Sequence, residues 1–424
     1  MRVRGRIFGC FVLGSALGSA AATGASAFEL PDVRAIFQRP LVDGTRPTAG
    51  KISPDDAWVA YFWNEEGYSR PLNLFVASTR GGAPRRLTAF TSRLPESFKP
   101  LEWPLASPGV FVDFSPDSRK ILCGYDGDLY VAAVDGSGLE RLTRTSASES
   151  EASWAPHGKS ILFTSGGALY KVSYPGPGLA QLTAPEGKVS HTSPRWSPDG
   201  TKISFIAQEG EDEHDFLVPY YLDEWVKTKS QKRGYTKNRI GILAAEGGTP
   251  TWIDTGDETI WWLNEVVWSR DGRRILVDYV SKDTRSRTLV VADATTPAPT
   301  SRVEPNGALP PSPPEKKKEP TVKAWRVYHE TDQQWIYTND GFVTDTTSTD
   351  FSRDGSRLLF TSEKCGFNQV YSVDVLGGKP RRVTRGNGAV DWAGWSGDSQ
   401  SIVTLAYDED SARRSLYLTP ASGG

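Results

Sequence analysis

One short phrase recurs seven times along the chain and constrains the fold more than any other feature. The clearest copy is Trp-Ser-Pro-Asp-Gly at residues 196–200. The other copies begin at residues 53, 114, 154, 268, 351 and 395. Uninterrupted copies are evenly spaced: Asp117 to His157 is 40 residues, His157 to Asp199 is 42, and Asp354 to Asp398 is 44. A period of about 40–45 residues is typical of one four-stranded propeller blade.

The segments between the copies read as short strands. Each turn phrase is followed by an apolar run such as Ile161-Leu162-Phe163, then by a run with an aromatic residue, then by a glycine pair and an Arg-Leu-Thr-like signature. Alternating β-branched and aromatic runs bounded by Gly, Pro and Asp are typical of strands and hairpins. No single repeat can bury its apolar face alone, so the repeats must stack. We therefore expect an all-β chain, a β-propeller of seven four-stranded blades. An eighth blade is the alternative if residues 325–337 form a degenerate extra unit.

The Ser and Asp residues of the phrase are interpreted as turn-forming rather than catalytic. An Asp-Gly pair supplies the positive φ that a tight turn needs, and a preceding Pro pre-sets the backbone. We expect the leading Trp or Phe of each phrase to pack between neighbouring blades.

The first 27 residues have the features of a secretory signal peptide. Arg2, Arg4 and Arg6 precede an apolar stretch over residues 7–22, and Ala25-Ser26-Ala27 is a small-residue cleavage site. The domain assignment is therefore a signal peptide over 1–27 and a β-propeller over 28–424. No later stretch approaches the ~18 apolar residues of a membrane span. The expected location is periplasmic or secreted.

Charge and cysteine content exclude several classes of function. The net charge of −2 gives no basic field for nucleic acid. Cys123 and Cys365 are the only cysteines after residue 27, and no C-x-x-C spacing is present. They are expected to be buried free thiols, with a disulfide between them as the alternative. No metal site and no cofactor are expected.

Three insertions interrupt the period, at about residues 91–111, 208–237 and 295–320. The last is rich in Pro, Ser and Thr and is expected to be a flexible surface segment. The insertion at 208–237 combines acidic residues, an aromatic cluster and a basic run. Insertions in repeat proteins often form loops on the working face. The candidate binding residues are therefore Glu211, Glu213, Tyr220, Tyr221 and Trp225, with a self-packed excursion bearing solvated charges as the alternative.

Residues 360–384 carry a resemblance to a known family. They run from Phe360-Thr361-Ser362-Glu363 through Tyr371 to Gly377-Gly378 and Arg381-Arg382-Val383-Thr384. The repeats resemble those of the Tol-pathway periplasmic propeller and of the dipeptidyl peptidase IV N-terminal domain. This stretch is most similar to late blades of prolyl-oligopeptidase-family serine peptidases. The resemblance implies a propeller that gates substrate and binds peptide, capping an α/β-hydrolase domain with a Ser-Asp-His triad.

The chain departs from that family in its catalytic motifs. It contains no G-x-S-x-G nucleophile elbow; the nearest phrase, residues 394–398, is the seventh repeat turn. The glutamate pair that holds the substrate N-terminus is not recognisable, and Asp223-Glu224-Trp225-Val226 is only a loose match. We expect no α/β-hydrolase domain within the chain and no catalysis by the chain itself.

Three hypotheses follow. The first is the propeller portion of an exported prolyl-oligopeptidase-type serine peptidase, with a peptide or protein partner and a hydrolase domain encoded downstream. The second is a stand-alone, Tol-like propeller that binds a protein or peptide. The third, a polysaccharide lyase, is disfavoured because the four histidines are scattered. The seventh repeat also lacks its Arg-Leu-Thr strand. Either residues 28–44 supply this strand, or it belongs to a natural continuation of the chain after residue 424. We favour the continuation.

Overall fold

The computed structural model describes residues 47–64, 71–91, 110–210, 218–219, 225–226, 236–256, 259–295, 319–333, 336, 349–386, 388–407 and 413–423. All regular elements within these ranges are β-strands, which confirms the all-β prediction. None of the described segments is a helix of the length and apolarity needed to span a bilayer.

The strands group into consecutive antiparallel units in chain order. The first three units contain β1 (Thr48–Ile52), β2 (Trp58–Trp63), β3 (Asn73–Ser78) and β4 (Arg85–Arg86); β5 (Phe111–Phe114), β6 (Lys120–Tyr125), β7 (Asp128–Ala133) and β8 (Leu139–Arg141); and β9 (Glu149–Trp154), β10 (Ser160–Ser165), β11 (Ala168–Ser173) and β12 (Leu179–Gln181).

The fourth unit contains β13 (Val189–Trp196), β14 (Lys202–Gly210), β17 (Thr236–Ala244) and β18 (Thr251–Asp254), with the hairpin β15 (Val218–Pro219) and β16 (Trp225–Val226) inside its insertion. The fifth contains β19 (Trp262–Trp268), β20 (Arg274–Val280), β21 (Ser286–Asp293) and β22 (Thr321–Thr331). The sixth contains β23 (Asp350–Phe351), β24 (Arg357–Ser362), β25 (Gln369–Asp374) and β26 (Arg381–Arg382), and the seventh β27 (Val390–Trp395), β28 (Ser401–Tyr407) and β29 (Arg414–Pro420).

The repeated phrase forms the turn between the first and second strands of each unit. In the fourth unit the Ser197 hydroxyl donates to Asp199 Oδ1 at 2.6 Å, and the Thr201 N–H donates to the same oxygen at 3.0 Å. The Lys202 N–H donates to Ser197 Oγ at 2.9 Å. The same side-chain bonds recur in the first, second, fifth, sixth and seventh units. The interpretation of these residues as turn-forming is confirmed.

Apolar clusters fill the junctions between consecutive units. One such cluster joins Leu122 and Leu129 of the second unit to Trp154 and Phe163 of the third. Similar clusters join units one to two, three to four, four to five, five to six and six to seven. The leading aromatics Phe114, Trp154 and Trp268 are buried in them. This serial packing of small antiparallel sheets is the β-propeller architecture.

The fourth and fifth units share a single eight-stranded sheet. Residues 252–254 of β18 pair in parallel with residues 321–323 at the start of β22, and the Trp252 N–H donates to Pro320 O at 2.9 Å. The remainder of β22 pairs with β21 as the fourth strand of the fifth unit. The segment around Trp325 is therefore part of the fifth unit, and the described strands group into seven units. The alternative of an eighth blade from this segment is not supported by its pairing.

The seventh unit has three strands among the described residues, in agreement with the missing Arg-Leu-Thr signature. The side chains of Leu416, Tyr417 and Leu418 on β29 are exposed. Residues 421–423 make the turn that in the sixth unit leads into a fourth strand. The Gly423 N–H donates to Pro420 O, as the Gly377 N–H does to Asp374 O, and both glycines have positive φ.

Both cysteines are free, as expected, but only one is buried. Cys123 lies within β6, where burial raises its pKa to about 12. Cys365 lies on the exposed loop between β24 and β25. The prediction that Cys365 is buried is wrong, because this residue follows the apolar run of β24 and is not part of the strand.

Candidate functional site

The strand order gives the propeller two distinct faces. Connections between strands one and two, and three and four, leave by one face, called here the turn face. Connections between strands two and three, and from strand four to the next unit, leave by the other, the loop face. Successive repeat turns contact each other on the turn face; for example, the Arg353 N–H of the sixth unit donates to Ser399 Oγ of the seventh at 2.8 Å.

The predicted insertions leave from different faces. The segments at about 91–111 and 208–237 follow β4 and β14, so both leave from the loop face. The segment at 295–320 joins β21 to β22 and leaves from the turn face. Of the candidate binding residues, Trp225 lies in β16 and pairs with Pro219 of β15. Glu211, Glu213, Tyr220 and Tyr221 lie outside the described residues.

The first strands of the units are joined side to side by polar contacts. Lys51 of β1 pairs with Asp113 of β5 at 2.5 Å, and the other Asp113 oxygen accepts from the Trp154 N–H of β9 at 2.9 Å. Arg195 of β13 lies 3.7 Å from Glu265 of β19. Contacts of this kind place the first strands innermost. Charges of both signs therefore lie along the first strands.

A buried ion pair of the fifth unit lies against the sixth unit, close to the loop face. Arg287 donates from Nε and Nη2 to the two oxygens of Asp278 at 2.9 and 2.5 Å. Asp278 is fully buried and also accepts from Thr349 Oγ1 at 3.0 Å. Arg287 reaches across the junction to Thr361 O at 2.5 Å. Burial alone would lower the pKa of Arg287, but the Asp278 carboxylate outweighs burial and raises it.

A second group of side chains, around Glu330 and Lys364, extends this cluster from the buried ion pair towards solvent. Glu330 Oε2 accepts from Ser362 Oγ at 2.5 Å and from the Tyr328 hydroxyl at 2.9 Å. Lys364 Nζ lies 3.2 Å from the Tyr328 hydroxyl and 4.0 Å from the centre of the Tyr371 ring. Burial lowers the pKa of Lys364, and Glu330 opposes the change. Burial and then Glu330 raise the pKa of Tyr328.

This cluster is a network of hydrogen bonds and charge contacts among its own members. Its acidic and basic groups are already matched within it, and Lys364 offers a cation at the surface. Among the described residues, no group of three or more His, Cys, Asp or Glu is arranged to hold a metal ion. Sequence reasoning missed the cluster, although charges inside apolar strand runs, at Asp278 and Arg287, were a usable signal.

The histidines within the described ranges have structural surroundings. His157 replaces the turn aspartate of the third unit, and its Nδ1 accepts from the Lys159 N–H at 3.0 Å. His191 is buried against Phe205, where burial lowers its pKa. His329 Nδ1 lies 3.0 Å from Thr288 Oγ1. None of the three lies beside a serine in a nucleophile elbow.

Comparison with known proteins gives one family. The model of the "Dipeptidyl peptidase IV (DPP IV) N-terminal region" matches residues 125–422. The structure is similar to Porphyromonas gingivalis dipeptidyl peptidase 4, with a TM-score of 0.62 and 13% identity over 95% of this chain and 55% of that one. It is also similar to a putative dipeptidyl aminopeptidase IV from Bacteroides ovatus, with a TM-score of 0.52 and 12% identity over 85% of this chain and 50% of the other.

The chain spans about half the length of these two proteins. At such low identity the structural likeness shows the fold alone, and it agrees with the propeller architecture. The family match and both structures are of the dipeptidyl peptidase type, so the Tol-pathway alternative is not supported.

Proposed function

Because this chain belongs to the family of the dipeptidyl peptidase IV N-terminal region, we propose that it is the non-catalytic, peptide-binding and substrate-gating propeller of an exported serine peptidase of that type. The observation that carries the proposal is the family match over residues 125–422. The chain's own sequence supports the non-catalytic part, because it has no G-x-S-x-G elbow.

The loop face is the surface we assign to peptide binding. The 208–237 insertion leaves from it between β14 and β17, the longest hairpin of the fourth unit. The cluster around Glu330 and Lys364 borders the same face at the junction of the fifth and sixth units. Ligands tend to bind where a few polar groups converge beside aromatic walls.

Within the insertion, the proposed roles follow from side-chain chemistry. The carboxylates of Glu211 and Glu213 would pair with a peptide ammonium group, since charge-assisted hydrogen bonds are the stronger ones. Tyr220, Tyr221 and Trp225 would provide apolar contact area with a polar rim. The other partner is a hydrolase domain, against which the loop face would lie.

Peptide binding by the purified chain tests this assignment. We expect fluorescent peptides with a free N-terminus to bind more tightly than their acetylated forms, by about tenfold for one lost charge-assisted contact. The double variant Glu211→Gln/Glu213→Gln should abolish that preference. Glu246→Gln, an exposed acid on the turn face, is the matched control. Equal binding of free and acetylated peptides would contradict the proposed ammonium site.

Export is the remaining element of the proposal, and it depends on residues 1–27. Expression of the complete chain in a Gram-negative host should give a periplasmic product whose N-terminal residue is Phe28. Mass spectrometry of the purified protein measures this directly. A product that retains residues 1–27 in the cytoplasm would contradict export.

A further inference from the structure

A cavity of about 690 Å³ opens on the turn face between the sixth and seventh units. Its walls come from both repeat turns, from β26 and from the turn that follows β29. The lining includes Arg353, Arg357, Arg381 and Trp395. Its volume falls within the range of small-molecule sites. The loop face and its insertion are at the other end of the units, so this cavity is separate from the peptide-binding surface proposed above.

The three arginines in the cavity donate hydrogen bonds only to neutral groups among the described residues. Arg353 Nη1 donates to Gly397 O at 2.9 Å. Arg357 Nη2 donates to Ser372 Oγ at 2.9 Å and to Ala421 O at 3.1 Å. Arg381 donates to Ala421 O at 2.5 Å and also to Ser422 O. None of the three forms an ion pair with a described carboxylate. Burial and then the Arg381 charge lower the pKa of Arg357, and the charges of Asp354 and Asp374 oppose this change.

The two carboxylates that line the cavity are already held by their own turns. Asp354 accepts from Ser352 Oγ at 2.6 Å and from Ser356 Oγ at 2.8 Å. Asp398 accepts from Ser396 Oγ at 2.7 Å and from the Gln400 N–H at 3.0 Å. Three guanidinium groups therefore face two engaged carboxylates, which leaves an excess of positive charge and free N–H donors.

The equivalent positions of the other units show that this charge is particular to one junction. The first residue of the second strand commonly donates to the next unit: Lys202 to Ala294 O, and Arg274 Nη1 to Gly355 O at 3.0 Å. One cation is therefore enough to join two units. The residues equivalent to Arg353, Arg357 and Arg381 differ in the other units. They are Pro116, Lys120 and Glu140 in the second unit and Pro198, Lys202 and Thr251 in the fourth. In the fifth unit they are Arg270, Arg274 and Trp325.

We propose that this cavity is an oxyanion-binding site, which takes a carboxylate or phosphate group against the guanidinium groups of Arg353, Arg357 and Arg381. Guanidinium forks match the geometry of both groups and bind them with paired hydrogen bonds. Trp395 also lines the cavity, and the centre of its ring lies 5.5 Å from the Arg357 guanidinium.

Calorimetric titration with two probes tests the site and distinguishes the two sources of oxyanion. The probes are inorganic phosphate and an N-acetylated, C-amidated tri-glutamate peptide. We expect at least one of them to bind with a Kd that rises as salt is added. Arg353→Gln and Arg381→Gln should each raise that Kd by about tenfold or more, the loss expected for one charge-assisted contact. Lys202→Gln, which removes an equivalent inter-unit donor far from the cavity, should leave the Kd unchanged.

Each outcome decides the proposal. Binding of phosphate alone assigns the site to phosphate groups, and binding of the peptide alone assigns it to acidic side chains. Failure of both probes to bind overturns the proposal, as does a Kd that the arginine variants leave unchanged or that Lys202→Gln raises equally. Arg353 is exposed and holds the turn through a single side-chain bond, so its variant remains informative if Arg381→Gln unfolds. Peptide binding at the loop face should be unaffected in both variants.

Discussion

At the scale of single residues, the aspartates of the repeat have a structural role, which is to stabilise the turns. Each one accepts a short bond from a serine hydroxyl two residues earlier and another from a backbone N–H two residues later. These bonds stabilise the charged form, so the pKa values of Asp55, Asp117 and Asp354 are lowered. In the third unit His157 makes the same backbone contact through Nδ1.

The lowered pKa of Asp354 gives a pH-dependent prediction. Hydrogen bonds from Ser352 and from the Ser356 N–H lower this pKa to about 2. The stabilisation is therefore fully present above the unfolded-state pKa of about 4 and is lost as pH falls towards about 2. Asp354→Asn should lower the melting temperature at neutral pH, and the difference from the unmodified chain should shrink with acidification. Glu363→Gln, at an exposed acid outside the repeat turns, is the control. A difference that stays constant down to about pH 2 would contradict the mechanism.

The buried Asp278–Arg287 pair gives a second prediction at this scale. Removing one partner leaves a buried charge without compensation, which costs about 3–5 kcal/mol. Arg287→Met should therefore lower the free energy of unfolding, measured by urea denaturation, by about that amount. The double variant Asp278→Leu/Arg287→Met should recover a large part of the loss because neither charge of the pair remains, and Glu330, 3.8 Å from Arg287, keeps its hydrogen bonds from Ser362 and Tyr328. If the double variant is as unstable as the single one, the uncompensated charge is not the cause.

At the scale of elements, turns and inner strands were predictable from the sequence because their signals are local. A phrase such as residues 196–200 fixes a tight turn, and the apolar run after it fixes the second strand of the unit. The parallel pairing of β18 with β22 was not predictable, since it joins residues about 70 positions apart across an insertion. The polar cluster around Glu330 was missed for a similar reason: its members come from three strands and a loop of two units.

The edge of the seventh unit gives a prediction about β29. This strand pairs with β28 on one side, and among the described strands it has no partner on the other. Edge strands leave backbone groups unpaired and open more readily. Amides of residues 414–420 should exchange with deuterium faster than those of β25, its counterpart in the sixth unit, which lies between β24 and β26. Equal protection of β25 and β29 would indicate that another segment covers this edge.

At the scale of the whole molecule, the main functional prediction is the absence of serine-hydrolase chemistry in this chain. The sequence contains no G-x-S-x-G elbow, the motif that holds a serine nucleophile at a strained turn in α/β-hydrolases. A fluorophosphonate probe should leave the purified protein unlabelled under conditions that label a known serine protease completely. Stoichiometric labelling of any serine, located by peptide mass spectrometry, would show that the chain contains a catalytic site.

The shared sheet of the fourth and fifth units has a mechanical consequence for the propeller. Elsewhere single backbone hydrogen bonds cross a boundary, as from the Glu149 N–H to Gly127 O and from the His191 N–H to Gly167 O, whereas here two strands, β18 and β22, pair across it. The shared sheet predicts that these two units move together and that any sliding between units takes place at another junction. The 208–237 insertion connects β14 and β17, which are two strands of this shared sheet. A peptide bound by the insertion would therefore stay fixed relative to these two units while the other units move.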